Sequence, residues 1–456
     1  MNNSAIIVFV DSIIIAFFIV GYLLNEAGFV SVDYYTLAIS CFLFIAFAYL
    51  QTVLLSGVLS IISLFIMTIS IFIFGRIFSY LLYSEMDYYT VTLFYTTTIS
   101  SLDSVNLLLT IGIIIYSILL GYFFTQCIEN KNKNVNVVTF NLRLPNGPVL
   151  FLVGCLVFPY IYSGLEAVNS GGYLSFYTKN LELLEKGSII PNLYSLGITI
   201  ATVFLSISIS TDNKKNTNFY LCVLLMNSLM LAFIGQRGPL LSFFLFYLWY
   251  RNKYIKKIPL LRLVIIGGIA IVFSQTLLLF RADYSNSNIN LFEHYFSFLF
   301  QQGVTLHVIY FTKYIDNFPG YLLAQNFIPG ANAIYNMFAQ HTILYNSSSA
   351  YLSDLLNPAL FKSGYGVGWS FVNDIVLLCN KNVGAMIIVA CLFGVFLSLA
   401  ENRGNSKGLY ITALSVITAY RIGFLPRAGL NGIFPLWIYS LVIITLLMVL
   451  KKKWKN

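Results

Sequence analysis

Run after run of this chain is apolar for about the length of a bilayer, with only short polar stretches between. The first, AIIVFVDSIIIAFFIVGYLL from Ala5, carries a single charge, Asp11. About 20 such residues span the hydrocarbon core as a helix, which bonds its own backbone where no water is available. No cleavage signal follows, so the run is expected to stay as a helix. Charged residues are 9% of the chain, against about 25% in soluble domains. Mean hydropathy is +0.81. No soluble core could hide that much apolar surface, but lipid can cover it. The sequence therefore predicts an all-α polytopic membrane protein.

Twelve transmembrane helices are predicted, over 5–24, 35–51, 53–76, 105–127, 147–163, 193–210, 218–234, 239–250, 261–280, 383–400, 408–422 and 432–450. Only Gln51 and Thr52 divide the second from the third. Nine helices thus fall in 1–280, and three with a basic tail in 383–456. Between them, 281–382 holds no good span. It is too long for a plain connector and rich in Phe, Tyr and Leu, so it is predicted to fold as a cap. Its stretch NLFEHYFSFLFQQGVTLHVIYFTKYI reads as helix, but QQG and His307 suit a helix lying on or dipping into the membrane.

Sixteen of the 26 lysines and arginines fall on one side of this arrangement, in KNKN with Arg143, NKK, RNKYIKK with Arg262, ENRGNSK and KKKWKN. The positive-inside rule makes that side cytoplasmic. Both termini are then cytoplasmic and the cap lies outside. The net charge of +9 follows from topology and suits a lipid bilayer with anionic headgroups. It gives no reason to expect nucleic acid. The six cysteines and the three histidines, His294, His307 and His341, show no metal-ligand spacing, so no metal or cofactor is expected.

Five arginines on the outer side, Arg76, Arg237, Arg281, Arg421 and Arg427, stand at or near ends of predicted spans. Arginine is costly in a membrane, and its planar fork of donors suits phosphate and carboxylate. Interfacial snorkelling or pairing with acids is the structural alternative. Two sites look alike. GQRGP, with Arg237, and RIGFLPRAGLNG, with Arg421 and Arg427, each interrupt short apolar runs. They are either recessed turns lining one cavity or two ordinary interfacial hairpins. Arg281 begins RADY, where Asp283 could simply pair with it. GYGVGWSFVND, which holds Tyr365, Trp369 and Asp374, interleaves glycine with aromatics. It either presents aromatic faces to sugars or packs Trp369 into the cap.

GQRGP, FRADY, FLFQQGVTLHVI, GYGVGWSFVND and YRIGFLPRAG together resemble the Wzy-type O-antigen or oligosaccharide repeat-unit polymerases. The resemblance implies a GT-C-like fold in the bacterial inner membrane. It also implies a metal-independent glycosyltransferase that joins repeat units carried on undecaprenyl pyrophosphate at the periplasmic face, with a chain-length regulator as partner. It supports functional roles for Arg237, Arg281, Arg421 and Arg427; these and Arg76 are the pyrophosphate-binding candidates, and their shared position at outer helix ends leads us to expect Arg237, Arg281 and Arg421 in one cluster. Glycan would meet Tyr365, Trp369 and Asp374. Such a reaction also needs a base for the acceptor hydroxyl. Beside Arg281, the catalytic candidates are Asp283, Glu293 and His294. The alternatives are an O-antigen ligase-like enzyme and a lipid-linked oligosaccharide flippase, which would be expected to show two similar halves and short loops.

Overall fold

The computed structural model describes residues 3–29, 31–91, 94, 96–129, 146–185, 190–234, 236, 238–259, 261–263, 265–268, 291–338, 345, 347–402 and 408–453. Its helices begin with α1 (Asn3–Glu26), α2 (Tyr34–Ser56), α3 (Ile61–Phe72), α4 (Gly75–Leu82), α5 (Ser101–Glu129), α6 (Asn146–Glu185), α7 (Ile190–Ser210), α8 (Lys214–Phe233) and α9 (Gly238–Tyr250). Then come α10 (Leu291–Gln302), α11 (Thr305–Tyr310), α12 (Gly320–Gln325), α13 (Ala331–Phe338), α14 (Ser348–Leu356), α15 (Pro358–Lys362), α16 (Phe371–Leu378), α17 (Val383–Asn402), α18 (Leu409–Ile422) and α19 (Phe434–Lys453). One small hairpin, β1 (Thr90–Val91) with β2 (Thr97–Thr98), is antiparallel.

Among the described residues eight helices are long and apolar enough to cross a membrane, or nine if the bent pair α3–α4 counts as one span. This is an all-α polytopic membrane protein. The α9 and α18 helices are short, and most of the span predicted over 261–280 lies outside the described residues. One predicted boundary is wrong. Helix α2 runs straight through Gln51 and Thr52, because Gln51 is buried and its side-chain amide donates to Asp11 of α1 at 3.0 Å. A polar group satisfied across a helix pair needs no turn. The chain breaks instead at Gly57, whose φ is 93°.

The α5 helix is the central post. Ile111, Ile114, Ile115, Ile118, Leu119, Tyr122 and Phe123 along it are fully buried. It packs closest on α17, through glycines. A Cβ on Gly394 would stand 1.9 Å from the Ile118 carbonyl oxygen, and one on Gly121 2.0 Å from that of Cys391. The two backbones therefore touch, as small residues allow in lipid, where helices gain little from apolar burial. At one end of this pair Glu401 of α17 accepts from Ile61 N (2.9 Å) and Tyr122 Oη (2.8 Å), and so caps α3. Lys253 Nζ donates to the Glu401 carbonyl (3.0 Å) and lies over Trp249. We call the far end the cap end.

There α3 bends by 60° into α4. The bend is seated on α10: a Cβ on Gly303 would lie 2.2 Å from Arg76 N, and one on Gly75 2.5 Å from the Leu299 carbonyl. Beyond α10 a second apolar cluster joins Val91 and Ile99 to Val308, Phe311, Leu352, Val367 and Trp369. This cluster brings part of the 281–382 segment together with the β1–β2 hairpin, while Leu306, Ile309 and Phe371 of the same segment join the main core.

The sequence placed only 147–163 of α6 in a helix. Helical backbone in fact continues to Glu185, but not straight. Lys179 Nζ is 2.7 Å from Glu166 Oε2, and the Tyr160 and Phe176 rings are 5.9 Å apart. A straight helix would separate these pairs by about 20 and 24 Å. The helix therefore doubles back between them. The Ser175 hydroxyl donates to the Ala167 carbonyl, which puts the reversal at NSGG, Asn169 to Gly172. The returning limb lays Phe176 against Tyr160, Leu231 and Ile234.

Candidate functional site

The two glycine-rich breaks meet at the cap end. The ring of Phe424, just after α18, fills the space where Gly238 at the head of α9 lacks a side chain. Phe424 also meets Phe72 of α3 edge-on, with ring centroids 5.6 Å apart. Gly423 in turn lies against Leu245 of α9. Gln236 N donates to the Leu231 carbonyl (2.8 Å) and closes α8. Gly235 and Arg237 lie outside the described residues.

Three arginines at this end can be placed. Arg421, in the last turn of α18, is half-buried and lies over the Tyr420 ring. Among the described residues its guanidinium has no hydrogen-bond or ion-pair partner. Arg427 is half-buried in a 3-10 turn, and its Nη1 donates to Gln302 Oε1 at 3.0 Å. Arg76 is different. It is 5% exposed, with Nε donating to the Phe300 carbonyl (3.2 Å), Nη1 2.9 Å from His307 Nδ1, and its guanidinium over the Phe300 ring. His307 Nε2 is 2.7 Å from the Tyr88 carbonyl, which can only accept. The proton is therefore on Nε2, and Nδ1 accepts from Arg76. Burial, and then the Arg76 charge, push the His307 pKa down to about 3, so the ring stays neutral. Arg76 was expected to bind pyrophosphate. In the structure it is a buried strut that ties α4 to α10 and to His307, placed there by the α3–α4 bend.

The glycan candidates also divide. Tyr365 is exposed. Trp369 is buried and stacked on Phe318 with centroids 5.7 Å apart, and its indole N–H donates to Asp374 Oδ1 at 2.8 Å. Asp374 is fully buried, and its Oδ2 accepts from Leu430 N at 2.7 Å. Burial raises the Asp374 pKa to about 6, against the pull of these bonds and one from Asn326. The pair anchors the stretch after Arg427 to α16. Both side chains are turned inward in the structure, the arrangement that the packing alternative describes. Trp369→Ala removes a buried ring and a donor, which costs about 3–5 kcal/mol. It is expected to deplete the protein in the membrane, as read by quantitative immunoblot. Normal amounts with short glycan chains would instead restore the sugar-stacking role.

A family model described as O-antigen polysaccharide polymerase Wzy matches residues 6–456. The chain belongs to this family. No curated protein and no solved structure matches it. Membership in the Wzy family and the apolar helices make it a multi-pass bacterial membrane protein of O-antigen polymerisation.

Within this Wzy chain the catalytic candidates stand as follows. Arg281 and Asp283 lie outside the described residues. Glu293 and His294 fall on α10, but their side chains are not among those described. Among the described residues no group of three or more His, Cys, Asp or Glu could hold a metal ion. Two residues escaped the sequence reading. Tyr194 of α7 and Asn227 of α8 are joined by a 3.0 Å hydrogen bond, at the end of the antiparallel α7–α18 pair that also carries Arg421. The signal was there: Asn227 interrupts an apolar helix at LLMNSLML, and a polar residue in such a position usually has work to do.

Proposed function

We propose that this member of the Wzy family polymerises undecaprenyl-pyrophosphate-linked oligosaccharide repeat units at the periplasmic face of the inner membrane. The observation that carries the reading is Arg421, a half-buried guanidinium with no hydrogen-bond or ion-pair partner among the described residues, where two helix breaks meet in a chain that matches the family almost end to end. A charge so placed favours an anionic ligand. Pyrophosphate is such an anion and is also the leaving group.

In the proposed step an acceptor hydroxyl oxygen attacks the anomeric carbon of the donor glycan. The bond from that carbon to the pyrophosphate oxygen breaks, and the electron pair leaves with the lipid pyrophosphate. The hydroxyl proton passes to a base, for which Asp283, Glu293 and His294 are the candidates. Arg421, with Arg427, Arg237 and Arg281, stabilises the departing charge. Exposed Tyr365 is the remaining aromatic contact for glycan. The GT-C-like architecture, the outward cap and a chain-length regulator belong to the same reading.

The test is lengthening of lipid-linked repeat units by purified protein in liposomes. A polymer ladder on undecaprenyl pyrophosphate is expected without lipid A core. A product that needs lipid A core would make the protein a ligase, and movement of lipid without lengthening would make it a flippase. Orientation is read separately, on a cysteine-free background carrying Asp316→Cys in the cap. Labelling from the periplasm of intact cells is expected. Labelling only after the inner membrane is breached would end the outer-face mechanism.

A further inference from the structure

Helix α7 packs antiparallel on α18, which puts its start towards the end of α18, and α8 packs on α7. This brings together Tyr194, Asn227 and Arg421 from three helices. Asn227 Nδ2 donates to Tyr194 Oη at 3.0 Å. The Tyr194 ring stacks on Tyr160 of α6, with centroids 4.5 Å apart and planes at 30°. These two contacts fix the ring and occupy a lone pair of its oxygen, and among the described residues the phenolic O–H has no acceptor. Val203 and Ile207 of α7 pack with Leu409 and Ala413 of α18, so the two helices run antiparallel and Tyr194, near the start of α7, falls at the same end as Arg421, in the last turn of α18. Asn227 is 6% exposed, and its other amide end, Oδ1, is buried without a partner. Among the described residues the Arg421 guanidinium, the Tyr194 proton and Asn227 Oδ1 thus have no partner, and for the buried Asn227 oxygen that is costly.

We propose that Tyr194 and Arg421 form a two-donor clamp for one lipid-linked pyrophosphate, with Asn227 as the residue that positions the phenol. The proposal rests on the polymerase reading and adds to it two side chains and their roles. A pyrophosphate oxygen only accepts, so it matches a guanidinium and a phenol that both donate. With the anion bound, the Tyr194 proton points at it. The lone pair on Tyr194 Oη takes the Asn227 NH2, as in the structure. Asn227 keeps the phenol from turning away, and the Tyr160 ring keeps it from tilting.

The test measures binding of farnesyl pyrophosphate to the purified full-length protein in nanodiscs, by calorimetry. Tyr194→Phe keeps the ring stack and deletes the donor. It is expected to weaken binding about tenfold, the loss of one hydrogen bond to a charged group, with protein yield unchanged. Asn227→Ala is expected to weaken binding several-fold in the wild type and not at all on top of Tyr194→Phe. Such coupling is a mark of positioning that loss of packing does not leave. Wild-type affinity in Tyr194→Phe overturns the clamp, and an equal effect of Asn227→Ala in both backgrounds overturns the positioning role. Wild-type protein that lengthens polymer but does not bind the probe refutes the clamp and leaves the polymerase reading standing. Probe binding with no lengthening refutes the polymerase reading.

Discussion

Arg421→Ala is expected to lower the rate of polymer lengthening about a hundredfold and to leave the amount of protein in the membrane unchanged. The magnitude is the loss of one charge-assisted contact to a developing anion, about 3 kcal/mol. The second half of the expectation comes from the fold. Among the described residues Arg421 makes no hydrogen bond or ion pair and lies over the ring of its neighbour Tyr420, so removing it deprives no described group of a bond. Arg421→Lys keeps the charge but loses the planar fork and should fall between. Cells carrying Arg421→Ala should accumulate single repeat units. Arg76→Ala serves as the contrast, because it leaves the Phe300 carbonyl and His307 Nδ1 without their buried donor and should act on protein amount first. Long chains of wild-type length in Arg421→Ala would remove the anion-binding role.

Gly394→Ala is expected to prevent the protein from accumulating, whereas Gly154→Ala should be silent. Both add one methyl group to a glycine in an apolar helix. At Gly394 that methyl would sit 1.9 Å from the Ile118 carbonyl oxygen, and at Gly154 it would meet nothing within 4 Å. Neither α5 nor α17 can yield locally, since the obstruction is backbone. The helices must part, and with them goes the Tyr122 bond to Glu401 that holds α3. The penalty should exceed about 3 kcal/mol, the upper part of the range for overfilled cores. Immunoblots of membrane fractions and thermal unfolding in detergent would read it. Equal levels of the two variants would show that the α5–α17 contact is not close.

What could be read from the sequence was what lipid imposes. Scarce charge and apolar runs of bilayer length require spanning helices whatever the details of packing, and the α1, α5, α8 and α17 regions follow directly. What could not be read depended on partners distant in the chain. Gln51 looks like a turn residue until Asp11 is found beside it. Arg76 looks like its four companions, because its partner His307 lies 231 positions away. Arg427 is likewise bonded to Gln302, 125 positions earlier. Trp369 was read with two meanings, and only the Asp374 carboxylate against its indole N–H separates them. The return of α6 was hidden because NSGG sits inside a stretch with otherwise ordinary helical composition. The meeting of the two glycine-rich breaks was the one tertiary feature the sequence suggested, through their shared residue types.

The cap on α3 has a consequence for how this protein is made. The Ile61 N–H is satisfied by a carboxylate 340 residues later in the chain. At ordinary synthesis rates that interval is on the order of tens of seconds. Throughout it the ribosome has delivered α3 to the membrane while Glu401 does not yet exist. The α5 post likewise stands without the glycine face of α17. The nascent chain must therefore be kept from premature association by its surroundings, and its central helices lock together only as the last spans emerge.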